Sequence, residues 1–190
     1  SERDVLYRWL KESTEPKGSF PMSIEDLSRF FKEKMTHESE SKQMTQEGFK
    51  CFRNIFLLIN EKLGHITKAV TGTTTYYDDS RSSQKETDYQ ILVFPSQLEG
   101  INSVWEVILQ TENEDVIEQA TEFLNKLYMN VSSDLQTRVE ELNHEFLNNC
   151  IKKLKHTIAH RESYSESALT KSVLRSLLLI KSLMDESEKK

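Results

Sequence analysis

Apolar residues recur along this chain at intervals of three and four, the spacing that lays one stripe along an α-helix of period 3.6. The clearest run lies at residues 113 to 128, where Val116, Ile117, Ala120, Phe123, Leu124, Leu127 and Tyr128 share a face. A stripe that wide predicts neighbours on more than one side. The segment before it, residues 96 to 111, carries Leu98, Ile101, Val104, Trp105, Ile108 and Leu109 in the same register. So few residues separate the two that they must pack as an antiparallel hairpin.

The same periodicity predicts the other elements. Val5, Leu6, Trp9 and Leu10 suggest a short first helix ending near Glu12, followed by a loop from Thr14 to Pro21. Ser23 is the expected N-cap of a helix that buries Ile24, Leu27, Phe30, Phe31 and Met35. After a polar break at His37 to Lys42, Phe49, Phe52, Phe56, Ile59 and Leu63 mark a further helix, which Gly64 ends. Ser96 and Glu99 read as a capping box for the next helix, and Asn113 as the cap of the one after. Leu135, Val139, Leu142, Phe146, Cys150, Leu154 and Ile158 predict one long helix. Beyond a polar break at Arg161 to Ser165, the residues Leu169, Val173, Leu174, Leu177, Ile180 and Met184 predict the buried side of a final one. That makes about seven helices. Gln90 to Phe94 is a brief β-like run, too isolated to build a sheet. The expected fold class is all-α: antiparallel helical repeats stacked as in an armadillo or HEAT-like α-solenoid, in a single domain over residues 1–190.

Residues 71–89 interrupt the pattern. They hold almost no aliphatic side chains and are expected to form a flexible loop within the domain. A functional reading of the same loop makes it a partner-docking or modification site carrying Tyr76, Tyr77 and Ser80.

Composition narrows the classes of function. A net charge of −6 without a basic stripe argues against a nucleic-acid partner, because phosphate binding is driven by clustered Lys and Arg. No apolar run, Leu177 to Ile180 included, approaches the roughly 18 to 20 residues of a membrane span, so a soluble chain with no membrane partner is expected. Neither end reads as a targeting peptide, and the chain reads as a fragment of a larger one, expected in the cytoplasm with the nucleus as a second location. Cys51 and Cys150 lie among apolar neighbours, as reduced buried thiols do. Asn130-Val131-Ser132 matches a glycosylation sequon that carries little weight without a secretory signal.

Catalytic signatures are missing from the sequence. There is no Gly-rich phosphate loop, no Cys-x-x-Cys, no His-Glu-x-x-His and no Gly-x-Ser-x-Gly. His156 and His160 share a helix face as two zinc ligands would, which sustains a rival reading as a small metal-dependent enzyme. They lack the intervening glutamate and an evident third ligand, and no metal or cofactor is expected. Lys50 and Arg53 could activate Cys51, but Phe49 and Phe52 flank it and predict burial. Glu114-Asp115 and Glu140-Glu141 read as solvated helix starts, and Trp9 and Trp105 as core anchors.

The run Gly100-Ile-x-x-Val-Trp105, then Asn113-Glu-Asp-Val, Ala120-x-x-Phe-Leu-x-x-Leu-Tyr-x-Asn130 and His144-Glu-Phe-Leu-x-x-Cys-Ile-x-x-Leu154 resembles the helical-repeat region of the giant ubiquitin-specific proteases, the fat-facets-like deubiquitinases. Gly48-Phe49-x-Cys-Phe-x-x-Ile-Phe-x-x-Ile-Asn60 looks like the helix preceding that unit, so the resemblance spans roughly residues 20 to 158. It is a helix-packing pattern and not a catalytic motif. It implies a parent that is a thiol protease removing ubiquitin in a separate domain. Neither the cysteine box nor the histidine box of that domain surrounds any Cys or His here. The implied function is therefore a non-catalytic protein-interaction or scaffold module whose partners are other proteins, substrates or adaptors of a deubiquitinase. The alternative is a helical-repeat module of an unrelated intracellular scaffold or adaptor.

Overall fold

A computed structural model describes residues 23–35, 44–68 and 89–187, together with Val5, Tyr7, Arg8 and Leu10. The fold is all-α, with one small sheet. Among the described residues the helices are α1 (Ile24–Phe30, continued as a π-helical turn over Phe31–Met35), α2 (Gln46–Lys62), α3 (Ile101–Gln110), α4 (Glu114–Met129), α5 (Ser133–Gln136), α6 (Val139–Ala159) and α7 (Glu166–Ser187). Val5, Tyr7, Arg8 and Leu10 are also helical, and Tyr7 and Leu10 join the core. Leu6 and Trp9 lie outside the described residues, as do the expected break at 37–42 and residues 71–88 of the expected loop.

Caps set most helix starts. The Ser23 hydroxyl accepts from the Asp26 amide at 3.1 Å, and the Thr45 hydroxyl accepts from the Gly48 amide at 3.1 Å. The Asn113 side-chain Oδ1 accepts from the Asp115 and Val116 amides at 3.2 and 3.4 Å. Gly64, at φ 73°, turns the chain out of α2, and the His65 amide reaches back to the Asn60 carbonyl at 2.8 Å.

The start of α3 differs from the expected capping box. Its N-cap is Gly100 in the left-handed region, at φ 84°. A Cβ at Gly100 would lie 2.3 Å from the Phe31 ring, so both conformation and space demand glycine there. Ser96 instead turns to α6: its amide and hydroxyl donate to the Glu145 carboxylate at 3.0 and 3.1 Å. Glu99 pairs with Lys32 at 3.2 Å. The boundary lies beyond Ser96 because Pro95–Gln97 first makes a 3-10 turn.

The sheet was also not expected. Ile66–Lys68 (β1) pairs antiparallel with Tyr89–Ile91 (β2), in register Ile66↔Ile91, Thr67↔Gln90 and Lys68↔Tyr89. Tyr89, the last residue of the expected loop, is thus in a strand. Ile91 also bridges Val131, its amide donating to the Asn130 carbonyl at 2.6 Å and its carbonyl accepting from the Ser132 amide at 2.7 Å. The run from Gln90 is therefore not isolated. Its partners are distant in sequence, and three residues of Ile-Thr-Lys carry no strand period. The sequon Asn130-Val131-Ser132 is the site of this bridge, with Val131 and Ser132 buried.

The core joins α1, α2, α3, α4 and the first half of α6. Phe31 stacks on Phe52 at 5.2 Å, and Phe56 meets Phe123 edge-on at 5.4 Å. The seven apolar residues expected on α4 are all buried, as are the six of the segment leading into and along α3. Trp105 is 2% exposed and packs on Phe146, which meets Tyr128 edge-on at 4.9 Å.

Two helices depart from expectation. The run from Leu135 is broken into α5 and α6 by Thr137 and Arg138, and Ile158, expected on the buried side, is exposed. In α7 the buried side is Ser172, Arg175, Ser176 and Leu179; of the expected set Leu174, Leu177 and Met184 face solvent, while Leu169, Val173 and Ile180 are half-buried and Ile180 packs against the core. The helix is rotated because a guanidinium, not a leucine, fills the place it packs into. Arg175 Nη1 donates to the carbonyls of Ile108, Leu109 and Thr111 at 3.3, 3.3 and 2.8 Å. Those are carbonyls of the last turn of α3 and of its C-cap, the negative end of the helix.

Candidate functional site

Cys51 and Cys150 are free, fully buried thiols. Burial pushes both up to about 12, so neither supplies thiolate near neutral pH. Lys50, beside Cys51 in sequence, pairs with Glu47 at 3.2 Å.

The histidine pair sits at the exposed C-terminal end of α6. The His156 and His160 rings stack with centroids 4.2 Å apart, and His160 Nδ1 lies 2.9 Å from the His156 carbonyl. Among the described residues no group of three His, Cys, Asp or Glu side chains is placed to hold a metal ion. Tyr76, Tyr77 and Ser80 lie outside the described residues. No described helix is long and apolar enough to cross a membrane.

Two surfaces remain. One is a cleft of about 570 Å³ between the turn at Phe94–Gln97 and the outer side of α6, reaching Arg138, His144 and Asn148. Its charges are already matched. Arg138 lies over the Phe94 ring at 4.5 Å and pairs with Glu141, a hydrogen bond that holds the Glu141 carboxyl below its usual range. Glu145 is taken by Ser96, and Asn149 donates to the Tyr128 hydroxyl at 3.2 Å. Burial, followed by the Glu145 charge, keeps that phenol protonated far above its ordinary range.

The other is the outer face of the α6–α7 pair. Of the ten large apolar side chains exposed among the described residues, six are Ile151, Ile158, Leu174, Leu177, Leu178 and Met184. Scattered exposed leucines are ordinary, but Leu174, Leu177, Leu178 and Met184 gather within eleven residues of one helix, which marks a candidate contact surface. The inner seam explains why α7 can turn this way. Thr157 and Ser172 hydroxyls are 3.4 Å apart, and Ser176 donates to the Ser172 carbonyl at 3.0 Å, so small hydroxyl residues let the helices approach closely.

Two organising residues carried no expected role. Asn60 is fully buried; its amide nitrogen donates to the Phe56 and Glu99 carbonyls at 2.9 and 3.0 Å, and its oxygen accepts from the Glu99 amide at 2.8 Å. It ties the end of α2 to the turn before α3. The signal in the sequence was a polar residue four past Phe56, inside an apolar stripe. Arg175 offered no such signal, lying on what reads as the polar side of α7.

No protein-family model matches the chain. No solved structure matches it either. Curated relatives do. The chain is 23% identical over 154 residues, 81% of its length, to ubiquitin carboxyl-terminal hydrolase 9X of Mus musculus. It is 24% identical over 182 residues, 96% of its length, to ubiquitin carboxyl-terminal hydrolase 34 of Mus musculus, and 21% identical over 154 residues to ubiquitin carboxyl-terminal hydrolase 9Y of Homo sapiens. In each case it spans about 5% of the length of the relative. By sequence the chain is a distant relative of a short stretch of the large ubiquitin carboxyl-terminal hydrolases, consistent with a segment of a large ubiquitin-specific protease.

Proposed function

We propose that this chain is a non-catalytic protein-interaction module of a large intracellular deubiquitinase, built as part of an armadillo- or HEAT-like helical solenoid. The observation that supports the reading is the set of large apolar side chains left exposed on α6 and α7, area that a protein partner would cover. Short connections within the α3–α4 and α6–α7 pairs fit antiparallel hairpins of the kind that solenoids stack. The relatives supply the owner: proteins named as ubiquitin hydrolases, of which this chain matches only a small part. Ubiquitin cleavage would then belong to another part of the parent, because a thiol nucleophile needs a thiolate and a neighbouring base. Both thiols here are buried and held neutral.

Incubation with a fluorogenic ubiquitin substrate tests the non-catalytic reading. No turnover is expected. Turnover that disappears in Cys51→Ala or Cys150→Ala would overturn it.

A further inference from the structure

We infer that the outer face of α6 and α7 is a docking surface for an amphipathic helix of another protein, one whose apolar stripe is bordered by Asp and Glu. The inference deepens the protein-binding reading above and rests on it. Geometry supplies the first part. On α7, Leu174 and Leu178 stand four apart, with Leu177 beside them, and all three are about half exposed or more. On α6, Ile151 and Ile158 stand seven apart, which is two turns along one side. An exposed helical stripe of this kind is one along which a partner helix lays anchors spaced three and four apart.

Charge chooses the occupant. The chain as a whole is at −6, yet over residues 151 to 185, setting aside the buried Arg175 and the Lys153 that pairs with Glu106, five Lys or Arg stand against Glu162, Glu166 and Asp185. The basic residues border the apolar stripe itself. Lys171 precedes Leu174 by three and Lys181 follows Leu178 by three, while Lys155 sits four after Ile151 and three before Ile158. All three are exposed, and among the described residues none of them is in an ion pair. An acidic-flanked helix would meet leucine with leucine and lysine with carboxylate. A second copy of this chain, joined by a two-fold axis through the same face, would set lysine against lysine.

The test is fluorescence anisotropy on the whole chain with a labelled synthetic helix. The peptide carries Leu at the a and d positions of three heptads and Glu at e and g; its twin carries Lys in place of Glu. The Glu peptide should bind about tenfold or more tighter than the twin at low salt, with the difference shrinking in molar salt. Leu174→Ser with Leu178→Ser should weaken the Glu peptide about tenfold or more, with the helical circular dichroism unchanged. Lys171→Gln with Lys181→Gln should remove the preference between peptides. Equal binding of the two peptides, no binding of either, or binding that the leucine variant leaves unchanged would overturn the inference. So would association with phosphatidylserine vesicles in preference to the Glu peptide, or self-association abolished by the leucine variant. Any of these results would leave the non-catalytic reading standing, since that reading falls only to turnover of the ubiquitin substrate.

Discussion

Helices α4 and α7 are both long and amphipathic, and they use their amphipathicity in opposite senses. In α4 the apolar stripe from Val116 to Tyr128 is wholly buried. In α7 the leucines at 174, 177 and 178 are outside and Ser172, Arg175 and Ser176 are inside. A stripe states which side of a helix gains from leaving water. It does not state whether the surface that covers it belongs to the same fold.

The comparison breaks at Trp105 if the inner core is not where α4 and its neighbours place it. Trp105→Ala should cost about 3 to 5 kcal/mol, the range for deleting a large aromatic from a core, and denaturant unfolding reads it directly. Wild-type stability in that variant would mean that the buried face of α3 is misassigned.

Next in size is Arg175. Arg175→Met keeps the length of the side chain but strands the carbonyls of Ile108, Leu109 and Thr111, and should cost about 2 to 3 kcal/mol. A neutral outcome would mean that water or a rotated α7 replaces the guanidinium. The leucines would then turn inward, which protection of Leu174 and Leu178 from solvent in amide-exchange or side-chain labelling would reveal.

The thiols sharpen the same contrast through pH. Cys51 and Cys150 are pushed from an ordinary 9.0 to about 12, so the fold favours the neutral thiol and disfavours the thiolate. A raised value contributes stability that is fully present below about 9 and is lost as pH climbs towards about 12. Cys51→Ala with Cys150→Ala should flatten that alkaline loss. An unchanged pH profile would show that the two thiols are not its source.

The smallest effect is expected on the outer face. Leu174→Ser and Leu178→Ser should each change stability by no more than about 0.5 kcal/mol, because neither side chain is covered. A loss comparable to that of Trp105→Ala would show that the face is already buried within the fold.

How much could be read in advance follows the same division. The caps Ser23 and Asn113, the stop at Gly64 and the buried sets of α3 and α4 were legible because local chemistry and tertiary packing agree there. The sheet was not, because its register joins Ile66 to Ile91 across a sequence gap that no local period spans. The face of α7 was misread for a different reason. One arginine fits the carbonyl end of a helix formed by residues more than sixty positions earlier, and sequence spacing carries no trace of that fit. Of the candidate site residues, Tyr76, Tyr77 and Ser80 lie outside the described residues. Of the apolar residues exposed on α6 and α7, Ile158, Leu174, Leu177 and Met184 were expected on the buried side, and Ile151 and Leu178 carried no expectation.

The guanidinium of Arg175 also has a consequence for rates. A charge anchored to three particular carbonyls cannot slide by a turn as a leucine can, so α7 is held at one rotation in the ground state. Its outward leucines are set before any encounter, and no opening step precedes contact. A ligand of that face should therefore associate in a single bimolecular step, with an observed rate that rises linearly with ligand concentration and does not level off.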